Sequence, residues 1–463
     1  MLKSLSDENY TFLLIALAVL VRVTAFVGLN GGYDDIAYAN IAWQIAHGVF
    51  SWTDSIDHYG SRYMVILPAA LSYKFFGFGD YSSALFPFLC SIAQPVMLWK
   101  ILIGMNLSRE GRWAALFLAI FPVNVIYGTM LYPNEITACL VTAAALMFLK
   151  QKNSHLFTSG VFLALAALTY APSIVLASVF ILYRGAHPGD RRKLAVSWCA
   201  GFAAVIAAEM LFSYLLTGQW FWHVKSLYNA MEAFKNFTEY SLWIYPKAMF
   251  AGNLYGLSLF GMYYPLTMAA IALITVRGEL EKILFPLSWL AILFAVHEFG
   301  SKSLIRFDEI YKQLRFLTVL SAPACWILGH AAGILWREHR RKTVLSACFL
   351  LFATSITGVH CMRRYRINGM TQWKEAAAFL ESVPELPLWT DAHADSLKLN
   401  TLMERNRLCS YYEVDPADPA CARPLKEMDV VLRTKGYLVT FRKLKAVPER
   451  VFAGGLAAYR LPL

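Results

Sequence analysis

The chain alternates apolar runs of about twenty residues with short turns that carry Lys or Arg. A run of that length crosses the hydrocarbon of a bilayer as a helix. Backbone in lipid is satisfied only within helices or a closed barrel, so the pattern predicts an α-helical polytopic membrane protein. Composition agrees: 58% of residues are hydrophobic and 16% are charged, where a soluble domain carries about 25% charged residues. Mean hydropathy is +0.47. A formal charge of +11 would suggest nucleic acid in a soluble protein. Here cytoplasmic loops and lipid headgroups account for it, so membrane lipids are the expected partners and nucleic acid is not.

Basic turns mark the cytoplasmic side. They lie at Arg109 and Arg112, at Lys150 and Lys152, at Arg184 through Lys193, and in the run from Arg337 to Lys342. The stretch 156–183 has basic residues at both ends and a break at Pro172. It is expected to enter and return as two half-spans. With the N-terminus inside, this gives roughly eleven spans. The opening loop, the Pro133 turn, an aromatic loop at 217–250, a loop around Arg306 and the C-terminus then fall outside. Arg363, Arg364 and Arg366 oppose this arrangement, since they follow the last span directly; the four internal basic loops outweigh them. The first span, 10–29, has only Lys3 before it and no A-x-A signal after it, and reads as a retained anchor. Arg22 within it is expected either to snorkel to the interface or to reach a lipid phosphate.

From about Met370 the composition turns soluble. Residues 1–361 form the expected membrane domain, and 362–463 a small extracytoplasmic α/β domain. That domain has a helix near 373–380 and strands near 387–390, 430–433 and 457–460. Cys409 and Cys421 can pair there if the domain is exported, a link worth about 3 kcal/mol. The other cysteines lie in apolar runs and none forms a CxxC pair, so no thiolate metal site is expected. There is no Walker loop, GxGxxG or HExxH. The cytoplasmic loops are too short for a nucleotide-sugar site, so a donor must arrive through the membrane.

The chemistry concentrates in residues 31–63. Asp34 and Asp35 stand where the chain leaves the first span, and His58, Tyr59, Arg62 and Tyr63 follow on the same loop. Carboxylates beside a bilayer are costly unless used. A carboxylate pair with a basic and aromatic group suggests work on a phosphate-bearing lipid; the plain alternative is a solvated loop with a helix cap at Asp34 or Asp35. Glu209, in mid-span, is either functional or the structural partner of a Ser or Tyr. His223 and His297 suit ordinary interface positions, and Asp308 and Glu309 a solvated loop.

Asp34-Asp35-x-x-Tyr38, with Ala42 and Gly48 beyond, resembles the D-E-x-x-Y…A…G stretch of polytopic GT-C glycosyltransferases. These are the protein O-mannosyltransferase and aminoarabinose-lipid A transferase-like enzymes. The likeness continues through Arg62, Leu67-Pro68, Phe75-Phe76-Gly77, the turn 121–135, and Leu314-Arg315-Phe316 with Pro323. The resemblance implies a sugar donor on a polyprenyl phosphate and an extracytoplasmic glycan, lipid or protein acceptor. It implies an inverting transfer with Asp34 as general base and Asp35 as a second, positioning acid. A sugar leaving its phosphate builds oxocarbenium-like charge, the attacking hydroxyl must lose a proton, and the departing phosphate needs fixed cations. His58, Tyr59, Arg62, Glu135, Lys225, Arg306 and Arg315 are the expected donor- and acceptor-binding side chains; no cofactor or metal is required. Two departures matter. The Pro133 turn often carries an aspartate in relatives and here reads Asn134-Glu135, and a lysine near the fifth-span break is here Tyr170.

Two rivals share much of this pattern. A flippase or transporter of lipid-linked sugars should show paired halves with matching broken helices, but only the Pro172 break is evident. An oligosaccharide polymerase or ligase would move a glycan block. The enzyme is expected in a cell membrane, the bacterial inner membrane by preference, with its N-terminus cytoplasmic and its C-terminal domain extracytoplasmic.

Overall fold

The computed structural model describes residues 6–29, 33–52, 58–150, 152–186, 191–233, 243–250, 254–300 and 312–381, together with the strands 388–390, 408–410, 436–440, 450–451 and 457–461. Among the described residues, the regular structure of the membrane part is all helical. In order it runs α1 (Asp7–Thr24), α2 (Tyr33–Ala46), α3 (Tyr63–Phe76), α4 (Asp80–Gly104), α5 (Ser108–Ala119), α6 (Pro122–Tyr127), α7 (Pro133–Leu149) and α8 (Asn153–Thr169). It continues with α9 (Leu176–Ala186), α10 (Arg191–Thr217), α11 (Trp222–Ala233), α12 (Ile244–Phe250), α13 (Leu254–Phe260), α14 (Tyr263–Val276), α15 (Leu284–Phe299), α16 (Ser321–Arg337) and α17 (Arg341–Glu381).

Among the described residues, 5 helices are long and apolar enough to cross a membrane, and shorter apolar helices stand beside them at Tyr63–Phe76, Pro133–Leu149, Ala171–Tyr183 and Tyr263–Val276. Several expected spans are broken. Pro122 splits one run into α5 and α6, because proline opens a new helix more readily than it continues one. Gly261, at φ +54°, separates α13 from α14. The Pro172 break is a 3-10 turn, Ala171–Val175. From it α9 runs back, so that Phe180 stacks on Phe148 at 4.5 Å near the end of α7.

The centre of the bundle is α7 with the Leu314–Arg337 segment, which is buried throughout residues 317–334. Glycines set the closest approaches. A Cβ at Gly329 of α16 would stand 2.5 Å from the Glu110 carbonyl oxygen and 2.6 Å from the Ala114 Cβ of α5. Gly160 and Gly201 let the backbones of α8 and α10 cross in the same way.

Arg22 neither snorkels nor reaches the interface. It is fully buried, donating to the Ser91 hydroxyl at 2.6 Å and the Ala119 carbonyl at 2.9 Å. Protein carbonyls replace water as its acceptors, the requirement for a cation kept in a bundle. Beyond the bundle, α17 is one continuous helix of 41 residues; the short helix expected near 373–380 forms its last turns. The five strands make one sheet in the order β2 (Leu408–Ser410), β1 (Leu388–Thr390), β3 (Gly436–Thr440), β5 (Ala457–Leu461), β4 (Arg450–Val451). β1 is parallel to β2 and β3, while β5 is antiparallel to β3 and β4. The strand expected at 430–433 and the Cys409–Cys421 pairing lie outside the described residues.

Candidate active site

The opening motif folds as a helix, and Asp34 and Asp35 occupy the first turn of α2. Unpaired backbone N–H groups there favour acids. The two carboxylates then part. Asp35 is fully buried, and its Oδ1 accepts from the Ile36 N–H at 3.0 Å. Asp34 keeps 22% of its side chain exposed and forms an ion pair with Arg315, whose side chain is 13% exposed. Asp34 Oδ1 also accepts from the Tyr59 hydroxyl at 2.8 Å. Burial pushes the Asp34 carboxyl up. The Arg315 charge, the Tyr59 hydroxyl and the charge of Arg62 more than offset this and hold it below the ordinary aspartate value.

Arg62 donates to the Tyr38 hydroxyl and lies over the Tyr38 ring, 5.8 Å from its centroid. Tyr38 meets Tyr59 edge to face at 5.0 Å, and His58 packs on Tyr59 at 4.0 Å. Arg315 sits over the Tyr132 ring at 4.5 Å, and its buried Nε has no hydrogen-bond partner among the described residues. Tyr170 packs on Phe316 at 5.0 Å and hydrogen-bonds His297 Nε2 at 3.1 Å. The residue standing where relatives often carry a lysine therefore abuts the neighbour of Arg315.

The structure thus brings together Asp34, Asp35, His58, Tyr59, Arg62 and Arg315. Lys225 is not among them; it lies on the exposed side of α11 and donates to Gln219 at 3.3 Å. Glu135 turns into the bundle, where Asn124 donates to its Oε2 at 3.0 Å, and Asn124 also donates to Gln94 at 2.8 Å. Arg306, Asp308 and Glu309 lie outside the described residues. Glu209 accepts from Ser213 at 2.7 Å, and Ser213 meets the Tyr63 hydroxyl at 3.1 Å, the structural pairing. His223 is buried against the Ser61 carbonyl at 3.1 Å, and burial holds it below the ordinary imidazole value. Among the described residues no three His, Cys, Asp or Glu side chains gather as metal ligands.

Arg366 has no expected role from patterning alone. It donates to the Tyr127 hydroxyl at 3.2 Å, while Arg363 donates to the Phe26 carbonyl at 3.1 Å. Phe26 closes the first helix beside the opening loop, so the arginines that seemed misplaced by charge are bound at the site end of the bundle. An unexplained basic group next to a span is the signal that pointed here.

A family model described as dolichyl-phosphate-mannose-protein mannosyltransferase matches residues 63–217. No curated protein sequence matches the chain. Apo ArnT from Cupriavidus metallidurans superposes with a TM-score of 0.62, covering 97% of this chain and 97% of that one at 14% identity. The chain has the GT-C fold. ArnT bound to undecaprenyl phosphate aligns equally well, at 0.62 over 98% of each chain and 14% identity. The Archaeoglobus fulgidus oligosaccharyltransferase tethered with an acceptor peptide gives 0.57 at 12% identity, over 86% of this chain and 64% of that one. The chain therefore spans less than two thirds of that relative. Identities this low carry the fold alone. On the GT-C frame Asp34 stands on the helix that follows the first span, paired with a residue that opens the central α16 segment.

Proposed function

We propose that the chain transfers a sugar from a polyprenyl-phosphate donor to an acceptor hydroxyl at the extracytoplasmic face of a bacterial inner membrane. The transfer inverts the anomeric centre, with Asp34 as general base. One observation carries this reading: a partly exposed carboxylate is held by Tyr59 and Arg315, with the Tyr38-bound Arg62 within electrostatic reach. The acceptor oxygen attacks C1 and its proton passes to Asp34 Oδ. The bond from C1 to the phosphate oxygen breaks, and the polyprenyl phosphate leaves with one more negative charge than the donor carried. Arg315 and Arg62 receive that charge. Arg315 has a buried, unpartnered Nε to spend on it.

Arg315 serves two anions in turn. Without donor it holds Asp34 as a carboxylate, a weak base. A donor phosphate that draws Arg315 away leaves burial as the main influence on Asp34. Its carboxyl then rises and becomes a stronger base when the acceptor must lose its proton. Asp35, fully buried next to it in the first turn of α2, accepts from the Ile36 N–H and steadies the turn that carries Asp34.

The test is transfer from a radiolabelled polyprenyl-phosphate hexose in proteoliposomes, by wild type and Asp34→Asn at equal expression, with a panel of acceptors and a separate readout of lipid translocation. Wild-type transfer falling by about 10²–10⁴ in the variant is the expected result for a lost general base. Undiminished transfer in Asp34→Asn would move the base elsewhere. Translocation of intact lipid without transfer to any acceptor would replace the enzyme with a flippase.

A further inference from the structure

At the bundle end opposite Asp34, the start of α5, the end of α16 and the start of α17 surround a cavity of about 700 Å³. Residues 315 and 337 lie at the two ends of one helical segment, about 35 Å apart by helix rise, so this cavity is distinct from the candidate active site. Arg109, Arg112, Arg337 and Arg341 line it, above Trp113 and Trp336, whose ring centroids are 5.6 Å apart. Glu110, on the same wall, is paired with Arg337, and Arg112 is paired with Asp7 at 3.2 Å. Arg341 lies over the Trp336 ring at 5.5 Å. Neither Arg109 nor Arg341 has a carboxylate partner among the described residues. Two uncompensated cations therefore face a cavity floored by aromatic rings.

The depth identifies the ligand class. The cavity stands at the ends of two helices long and apolar enough to cross a membrane, where headgroups lie and Trp rings concentrate. The same α16 and α17 also border an apolar cleft of about 200 Å³ that includes Leu335 and Val344. A soluble anion has no use for such a cleft, whereas an acyl chain fits it. We propose that this cavity binds the headgroup of an anionic phospholipid from the leaflet that meets the Arg337–Lys342 run. Its phosphodiester rests on Arg109 and Arg341, and its glycerol on Trp113 and Trp336. Basic pockets between membrane helices hold acidic headgroups in this way.

The test measures thermal unfolding of the full chain in neutral detergent, titrated with phosphatidylglycerol, phosphatidylcholine or free glycerol phosphate. Phosphatidylglycerol alone should raise the midpoint. R341Q, at an exposed side chain, should weaken its half-saturation about fivefold, and R109Q/R341Q about thirtyfold. R109K/R341K should restore it, and Arg277→Gln, outside the cavity, should leave it unchanged. Equal stabilisation by phosphatidylcholine, or an unaltered response in R341Q and the double variant, overturns the proposal. Glycerol phosphate matching phosphatidylglycerol would make this a soluble-anion site and overturns it too.

Discussion

The Asp34–Arg315 pair makes a quantitative demand on stability that is independent of any transfer assay. Removing one partner of a fully buried ion pair costs about 3–5 kcal/mol, because the other charge is stranded. Here 22% of the Asp34 side chain and 13% of the Arg315 side chain stay exposed, and Tyr59 still donates to the carboxylate. We therefore expect Arg315→Gln and Asp34→Asn each to cost ~2 kcal/mol, and the double variant little more than either. The pH dependence carries a sign. The folded Asp34 carboxyl is depressed, so its contribution is fully present above the unfolded value near ~4. It is lost only as pH falls through the lower folded value. In Arg315→Gln, burial acts without its main opponent and the Asp34 carboxyl rises. That variant regains stability on acidification, so its gap to wild type is widest near neutral pH and narrows as pH falls. Unfolding in mixed micelles, followed by far-ultraviolet circular dichroism, measures all four corners of the cycle. A coupling below about 0.5 kcal/mol, or a gap that does not change with pH, would refute the reasoning.

Two further outcomes follow from named contacts. Tyr59→Phe removes the 2.8 Å donor to Asp34, a hydrogen bond to a charged group worth about 1.5–3 kcal/mol. The acid limb of the kcat/KM profile should move to higher pH, since the Tyr59 donor holds the carboxyl down and its removal lets it rise. Gly329→Ala sets a Cβ 2.5 Å from the Glu110 carbonyl oxygen and should destabilise the α5–α16 crossing by about 1–3 kcal/mol. The thermal midpoint reads that loss, with the Asp34–Arg315 coupling unchanged.

Asp34 was legible because two carboxylates at the exit of a span need a use. Its partner was only one of several candidate cations, since the pairing joins residues 281 positions apart. Local patterning also fixed the Pro172 hairpin, where basic residues at both ends of one apolar stretch forced a return. It did not place Arg22, whose acceptor Ala119 lies 97 residues away and exists only once α1 packs on α5. Glu135, expected to touch donor or acceptor, has its visible partner inside the bundle for the same reason. The turn that carries it faces the active end, but the side chain finds Asn124 within the bundle. Arg363 and Arg366 run against the charge pattern because their acceptors, Phe26 just beyond α1 and Tyr127 on α6, lie far away in sequence. Hydropathy and charge mark the apolar helices and the turns between them. Which interior polar groups meet is settled by packing between helices far apart in sequence.

The unbroken α17 has a mechanical consequence. Forty-one residues make a rod of about 60 Å, twice the roughly 30 Å of hydrocarbon that it crosses. Its outer half therefore carries the chain clear of the bilayer before the first strand begins. Three side chains tie its outer part to the bundle: Arg363 at the Phe26 carbonyl, Arg366 at the Tyr127 hydroxyl, and Lys374 at Asp80, 2.8 Å away. Asp80 in turn receives the Leu29 N–H at 2.9 Å, just ahead of the opening loop. Because α17 runs unbroken to Glu381, a twist applied to its last turns is delivered as rotation at Tyr127, whose ring meets Tyr132 at 5.6 Å beneath Arg315. One residue inserted after Arg366 would turn everything beyond it by about 100° and separate Lys374 from Asp80, so the length of that helix decides which bundle groups its side chains meet.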